Sequence, residues 1–284
     1  MRYTVTAFYK FVSIEDPASF RPQVLDVCRA NSIVGTVLLA NEGINGTVAG
    51  PEAGVAVFLA WLRADPRFCD LVSKESYALE QPFARLKVRL KREIVTLGRP
   101  EADPNMQVGT YVKPQDWNAL ISQEDVVLLD TRNAYEVKIG TFEGAQDPGT
   151  RTFRQFPDYV RDNLDPARHK RVAMFCTGGI RCEKASAYML TQGFEEVYHL
   201  EGGILKYLET VAPGESLWRG ECFVFDERVA LGHGVELGTH VMCPACGGPT
   251  VKDDTAPKNA QGAQLCSQCA SRLDAVQKEV GTPS

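Results

Sequence analysis

Hydrophobic and polar positions change rhythm several times along the chain, and each change marks an element. Residues 3–12 are dense in aromatic and β-branched side chains, as in a strand. After Asp16-Pro17, the residues Phe20, Val24, Leu25, Val27 and Cys28 recur at helical spacing. Residues 36–40 and 46–48 read as two strands joined by the turn Asn41-Glu42-Gly43-Ile44-Asn45. Pro51 opens a second helix with Val55, Phe58, Leu59 and Leu62 on one face, and residues 71–97 supply further extended chain. The order βαββαβ over residues 1–98 predicts a ferredoxin-like α+β sandwich.

Residues 99–122, punctuated by Pro100, Pro104 and Gly109, read as a linker. Over 123–216 the apolar runs 126–130, 172–175 and 196–200 alternate with helical patterns, one starting near Glu183. Strands that alternate with helices imply a parallel α/β sheet, with function at the carboxyl ends of its strands. From about 217 to 284 the pattern breaks into glycine, cysteine and polar residues, too short to bury a core without a staple. The last few residues read as disordered.

Composition narrows the setting. The 284 residues exceed one compact domain, while 44% hydrophobic and 24% charged residues are ordinary for a globular protein. The first ten residues are too polar for a signal peptide, and no apolar run approaches a membrane span. A cytoplasmic location follows as the expectation, with nine cysteines kept reduced for metal binding or redox chemistry. A net charge of −5 gives no global attraction to nucleic acid, so such a partner needs a local basic patch. No P-loop or dinucleotide fingerprint is present, and no flavin or haem site is seen.

The chemistry concentrates in Cys176-Thr177-Gly178-Gly179-Ile180-Arg181-Cys182. A cysteine at a strand end, two glycines and an arginine ahead of a helix describe a loop that cradles a thiolate. Curled backbone N–H groups and the helix N-terminus both favour the ionised, reactive sulfur. Only four residues separate Cys176 from Arg181, one fewer than in cysteine-dependent phosphatases; the tighter ring suits a persulfide better than a phosphoryl group. Cys182 is either a resolving thiol for an oxidised Cys176 or a small residue packed under the loop.

Two further patterns carry chemistry. In Arg85-Leu86-Lys87-Val88-Arg89-Leu90-Lys91-Arg92, strand alternation lines Arg85, Lys87, Arg89 and Lys91 along one face and sends Leu86, Val88 and Leu90 to the core. That face is either a phosphate-backbone footprint or a solvated exterior. Arg151, Arg154, Arg161, Arg168, Lys170 and Arg171 add basic residues near the thiolate loop in sequence. Cys243-Pro244-Ala245-Cys246 and Cys266-Ser267-Gln268-Cys269 have zinc-ribbon spacing; four thiolates would close a structural site, the alternative being a metal-free hairpin. His199-Leu200-Glu201 could begin an iron site, but no second histidine shares its context, and that reading is set aside.

The loop resembles the active-site loop of rhodanese domains, together with Asp130-Thr131-Arg132, Tyr135-Glu136, Gly144-Ala145 and Leu200-Glu201-Gly202-Gly203. Adding the run from Leu38-Leu39-Ala40-Asn41-Glu42-Gly43-Ile44-Asn45 to Val48, and the run Gly220-Glu221-Cys222-Phe223-Val224-Phe225-Asp226, the chain resembles the bacterial tRNA uridine hydroxylases. That resemblance implies an N-terminal acylphosphatase-like domain and a rhodanese domain. It also implies oxygen-dependent hydroxylation of the wobble uridine of tRNA to 5-hydroxyuridine, with molecular oxygen as co-substrate, an unidentified electron donor, and Cys176 as the catalytic cysteine. The anticodon stem-loop is then expected against the basic strand and against Asn41 and Asn45. A rhodanese-type sulfurtransferase using a Cys176 persulfide is the alternative; a non-catalytic RNA-binding scaffold is the third reading.

Overall fold

Strand β1 (Tyr3–Phe11) leads into helix α1 (Pro17–Ala30), whose first turn is set by Asp16: its carboxylate accepts the N–H groups of Ala18 and Ser19 at 3.0 and 3.1 Å. The computed structural model describes the backbone of residues 2–280 and the side chains of residues 2–273; the terminal residues expected to lack order lie mostly outside this range. Strands β2 (Val34–Ala40) and β3 (Gly43–Gly50), helix α2 (Glu52–Ala64), then β4 (Ser73–Ala78) and β5 (Leu86–Leu90) follow. The sheet order is β4-β1-β3-β2-β5; only the added edge strand β5 runs parallel to its neighbour. The first four strands have the ferredoxin-like arrangement.

The two faces of this sheet are used differently. Phe8, Val37, Leu39, Ile44 and Val48 pack beneath Phe20, Val24, Phe58 and Leu62 of the two helices. Strand alternation sends Val5, Ala7, Tyr9, Leu38 and Asn45 to the opposite face, which covers the second domain. Two expectations change here. The pairing of β2 with β3 runs to Ala40 and Gly43, so the turn is only Asn41-Glu42 and Asn45 lies within a strand. Val88 is buried in the core and Leu86 packs against it, but Leu90, at the end of a short edge strand, is 45% exposed.

The second domain is a four-stranded parallel sheet, β6-β10-β9-β7, formed by β6 (Thr110–Val112), β7 (Val126–Asp130), β9 (Arg171–Phe175) and β10 (Glu196–Leu200). Around it lie α3 (Pro114–Ile121), α4 (Ala134–Val137), α5 (Phe156–Asn163), α6 (Ile180–Thr191) and α7 (Gly203–Thr210). The stretch 99–122, expected as a linker, therefore contributes β6 and α3, and Trp117 of α3 is fully buried. A three-residue edge strand carries too little alternation to be read. Helix α6 begins at Ile180 rather than near Glu183, which puts Arg181 and Cys182 in its first turn.

Strand β8 (Gly140–Phe142) pairs with β11 (Trp218–Gly220), and β12 (Cys222–Phe223) with β13 (Ala230–Leu231), so residues 218–231 fold back onto the sheet domain. Beyond them β14 (His240–Met242), β15 (Pro249–Val251) and α8 (Ser267–Val280) frame the paired cysteines. The domains are joined by buried charge: the Lys184 ammonium of α6 meets Glu42 at 2.7 Å and Glu93 at 2.6 Å. No helix among the described residues is long and apolar enough to cross a membrane.

Candidate active site

Strand β9 delivers Cys176 to the carboxyl edge of the parallel sheet, and the loop turns at once into α6. Gly179, at φ +103°, permits that turn; a Cβ there would sit 2.8 Å from the Tyr9 hydroxyl. The Gly179 N–H donates to the Cys176 sulfur at 3.1 Å. Burial opposes ionisation of Cys176, but the Cys182 thiol, the Arg181 charge and the N–H groups of Cys182 and Arg181 overcome it and bring its pKa down to about 5. Cys182 is pushed the other way, by burial and then by the hydrogen bond it donates to Cys176. It is fully buried and also touches the Thr131 hydroxyl at 3.5 Å. The packed residue and the neighbour of the reactive sulfur are thus one side chain.

Arg181 does not offer its guanidinium freely to a ligand. Both terminal nitrogens donate to Glu136 at 2.7 Å, in a pair almost sealed from solvent. Glu136 in turn accepts the N–H of Asn133 at 3.1 Å, which fixes it at the start of α4. Arg181 therefore acts on the sulfur through its field, at a position set by Glu136. Beneath lies a second buried pair, Arg132–Asp130 at 2.6 Å, and Arg132 also donates to the Gly140 carbonyl.

Above the loop is a chamber of about 760 Å³. Cys176, Thr177, Gly178, Ile180 and Arg181 line its floor; Val5, Ala7, Tyr9, Leu38 and Asn45, from the open face of the N-terminal sheet, form the roof. Lys74 of β4 enters from the roof, its ammonium donating to the Gly178 carbonyl. Burial lowers the Lys74 pKa to about 8, against the opposing pull of Cys176 and Glu183. Tyr9 and Tyr111 donate to the two oxygens of Glu183 at 2.9 and 2.7 Å, and burial raises that carboxyl. Lys74, Tyr9 and Phe225 are not legible in the sequence as site residues. Strand alternation assigns a side chain to a face, not to what that face meets.

The expected RNA contacts divide. Arg85, Lys87, Arg89 and Lys91 form no ion pair among the described residues. In register, Lys87 lies opposite Thr36 and Arg89 opposite Leu38, so these cations extend the same sheet face that roofs the chamber. Asn41 holds the fold, its amide donating to the carbonyls of Ile14 and Glu15, whereas Asn45 lines the chamber while its amide donates to the carbonyl of Ile94. With Glu42 accepting the Ile94 N–H at 2.6 Å and pairing with Lys184, this motif docks the first domain on α6. Of the basic residues near the loop, Arg161, Arg168 and Arg171 pair with nearby acids, whereas Arg154 lines the chamber. His199 is buried against Tyr111 with its Nε2 3.2 Å from the Gly109 carbonyl, a packing role.

The sulfur atoms of Cys243, Cys246, Cys266 and Cys269 lie within 4.8 Å of one another, Cys246 and Cys266 at 3.8 Å. A tetrahedral zinc with Zn–S bonds of about 2.3 Å requires sulfur separations of about 3.8 Å. The donor set fits that ion. The Gly247 N–H donates to the Cys243 carbonyl at 2.8 Å, curling the first knuckle.

Residues 3–94 match the family model of the UPF0176 acylphosphatase like domain, and residues 113–210 that of the rhodanese-like domain. A protein named tRNA uridine(34) hydroxylase from Sinorhizobium medicae (strain WSM419) is 56% identical over 269 residues, covering 94% of this chain and 85% of that one. Among solved structures, a Rhodopseudomonas palustris protein of unknown function is 23% identical with a TM-score of 0.32, over 42% of this chain and 96% of its own. A rhodanese-like domain from Anabaena is 17% identical with a TM-score of 0.33, over 40% and 80%. With identity of that order sustained across both domains and the cysteine loop, this chain belongs to the tRNA uridine(34) hydroxylase family.

Proposed function

We propose that this protein hydroxylates the wobble uridine, nucleotide 34 of tRNA, at carbon 5, with Cys176 as the group that engages the base. The observation that carries this reading is the roofed chamber: an ionised sulfur on the floor, a second domain overhead, and a volume that engulfs a small molecule. A base enters such a space only when it is turned out of its stack, as in other enzymes that do chemistry on bases.

In this reading the Cys176 thiolate adds to carbon 6 of the uracil, and the electron pair moves to carbon 5 and its neighbouring carbonyl oxygen. The buried Lys74 ammonium beside the loop balances that charge. Molecular oxygen is the oxidant: one atom goes to carbon 5, and the other leaves as water with two electrons and two protons from a cellular reductant. Loss of the proton from carbon 5 then expels the thiolate. The enzyme is thus an oxidoreductase of the monooxygenase type. It works in the cytoplasm on the anticodon stem-loop, with zinc on the four C-terminal cysteines as a structural ion.

Mass spectrometry of tRNA from cells lacking the gene tests the assignment. We expect 5-hydroxyuridine at position 34 to fall and to return with the wild-type gene but not with Cys176→Ser. Unchanged wobble uridines would overturn it. The rhodanese-like match over 113–210 keeps sulfur transfer as the second reading. Rapid thiocyanate formation from thiosulfate and cyanide, with tRNA unaffected by loss of the gene, would favour that alternative.

A further inference from the structure

A second cavity, of about 660 Å³, adjoins the chamber and shares Thr36, Phe83, Val224, Phe225 and Asp226 with it. The mechanism above makes no use of it. Arg85 and Lys87 line its outer side, without ion-pair partners among the described residues. The carboxylate of Glu227 lines the same cavity; Asp226 is already neutralised by Arg228 at 2.7 Å. Two cations therefore outnumber one free carboxylate, an environment that attracts an anion.

Phe225 stands on the boundary between the two cavities and is 58% exposed, although it lies in a segment whose neighbours Phe223 and Val224 are buried. The edge-on ring of Phe223, 5.2 Å away, and the Arg181 guanidinium, 5.9 Å from the ring centroid, hold its orientation. An exposed aromatic ring next to unpaired cations is the composition of a site for single-stranded nucleic acid, where bases stack and phosphates pair.

Building on the tRNA reading, we infer that the second cavity is a subsite for a nucleotide adjacent to the target uridine. Its base stacks on Phe225, and its phosphate lies against Arg85 and Lys87. The target base goes to the chamber floor, and the ring of Phe225 separates it from its neighbour. Phe225 lines both cavities, so the two positions adjoin, as consecutive nucleotides require. The subsite gives a role to the unpaired cations Arg85 and Lys87 at the edge of the sheet: the uracil is neutral, and the charge they meet belongs to the backbone beside it.

The test uses the full-length protein and a labelled anticodon stem-loop, with binding followed by fluorescence anisotropy. Phe225→Ala is expected to weaken binding about tenfold, within the range of one base–aromatic stack, and Phe225→Tyr to restore it. An abasic site next to the target uridine, on one side of it, is expected to weaken the wild type by a similar factor and Phe225→Ala hardly further. Arg85→Ala and Lys87→Ala should each flatten the salt dependence by about one phosphate contact. Wild-type affinity in Phe225→Ala, or costs of the ring and the neighbouring base that simply multiply, would overturn the subsite while leaving the hydroxylase reading intact. Wild-type protein that ignores the stem-loop altogether would overturn both.

Discussion

Two groups of cysteines in this chain solve opposite problems. At the end of β9 the protein makes a thiolate and keeps it available, using a neighbouring thiol, loop N–H groups and a guanidinium held by Glu136. Around Cys243 the buried apolar cluster is small, with Leu265 and Ala270 as its chief companions, and four sulfurs converge on one point. There the four sulfurs fit a metal ion, which would replace the core that the segment lacks. The chain builds the first site out of two domains; the second needs only two short knuckles. A cysteine's surroundings, rather than its burial, decide which task it performs. Cys28, fully buried in the first domain with no such partners, is pushed by burial up to about 12.

The sharpest break of this comparison is chemical. Cys176→Ser should reduce hydroxylation of position 34 to background, a loss on the order of 10³-fold or more, in a protein with unchanged thermal stability. Cys246→Ser should leave most of the turnover. Treatment with a strong chelator comes next. Cys246, Cys266 and Cys269 should become alkylated and amides near β14 and β15 should exchange freely, while the protection of β9 and α6 stays as it was, by mass spectrometry of exchange and labelling. A chelator that silenced Cys176 as well would break the distinction.

Smaller effects sharpen it. Glu136→Gln strands the buried Arg181 charge and should cost about 3–5 kcal/mol in denaturant unfolding. In the folded fraction the same substitution removes a negative charge near the sulfur and should lower the Cys176 midpoint further, whereas Arg181→Met should raise it. The least dramatic change is in pH dependence. The folded pKa of Cys176 is depressed, so its thiolate is present above about pH 5 and is lost as pH falls through that value. Alkylation of Cys176 should accordingly be flat from pH 7 to 6 and fall about tenfold per unit well below pH 5. Cys28 should stay inert throughout that range.

Local spacing makes both cysteine groups legible in the amino-acid sequence. A strand-end cysteine followed by Gly178, Gly179 and Arg181, and knuckles at 243–246 and 266–269, are determined by residues a few positions apart. The βαββαβ order and the parallel sheet are readable for the same reason. What escapes depends on partners far away along the chain. Asn41 and Asn45 read as a polar surface turn, yet their amides satisfy carbonyls of Ile14, Glu15 and Ile94. Lys74 lies in a stretch that reads only as extended chain, yet it ends at the Gly178 carbonyl. The linker reading fails because β6 is three residues long and is recognised only by its parallel pairing with β10.

The chamber draws its walls from Tyr9, Lys74, Cys176 and Phe225, positions scattered across most of the chain. A chain emerging from the ribosome folds from its N-terminus, domain by domain, at about 5–20 residues per second. The sheet that becomes the roof exists first, and the sulfur appears beneath it only when β9 and α6 have formed. The aromatic boundary at Phe225 arrives last, once residues 218–231 have folded back. A truncated product that stopped before this return segment would carry the reactive thiolate but not its fourth wall. The enclosure of Cys176 is therefore a mark of a docked return segment: its folding back is what separates a guarded sulfur from an open one.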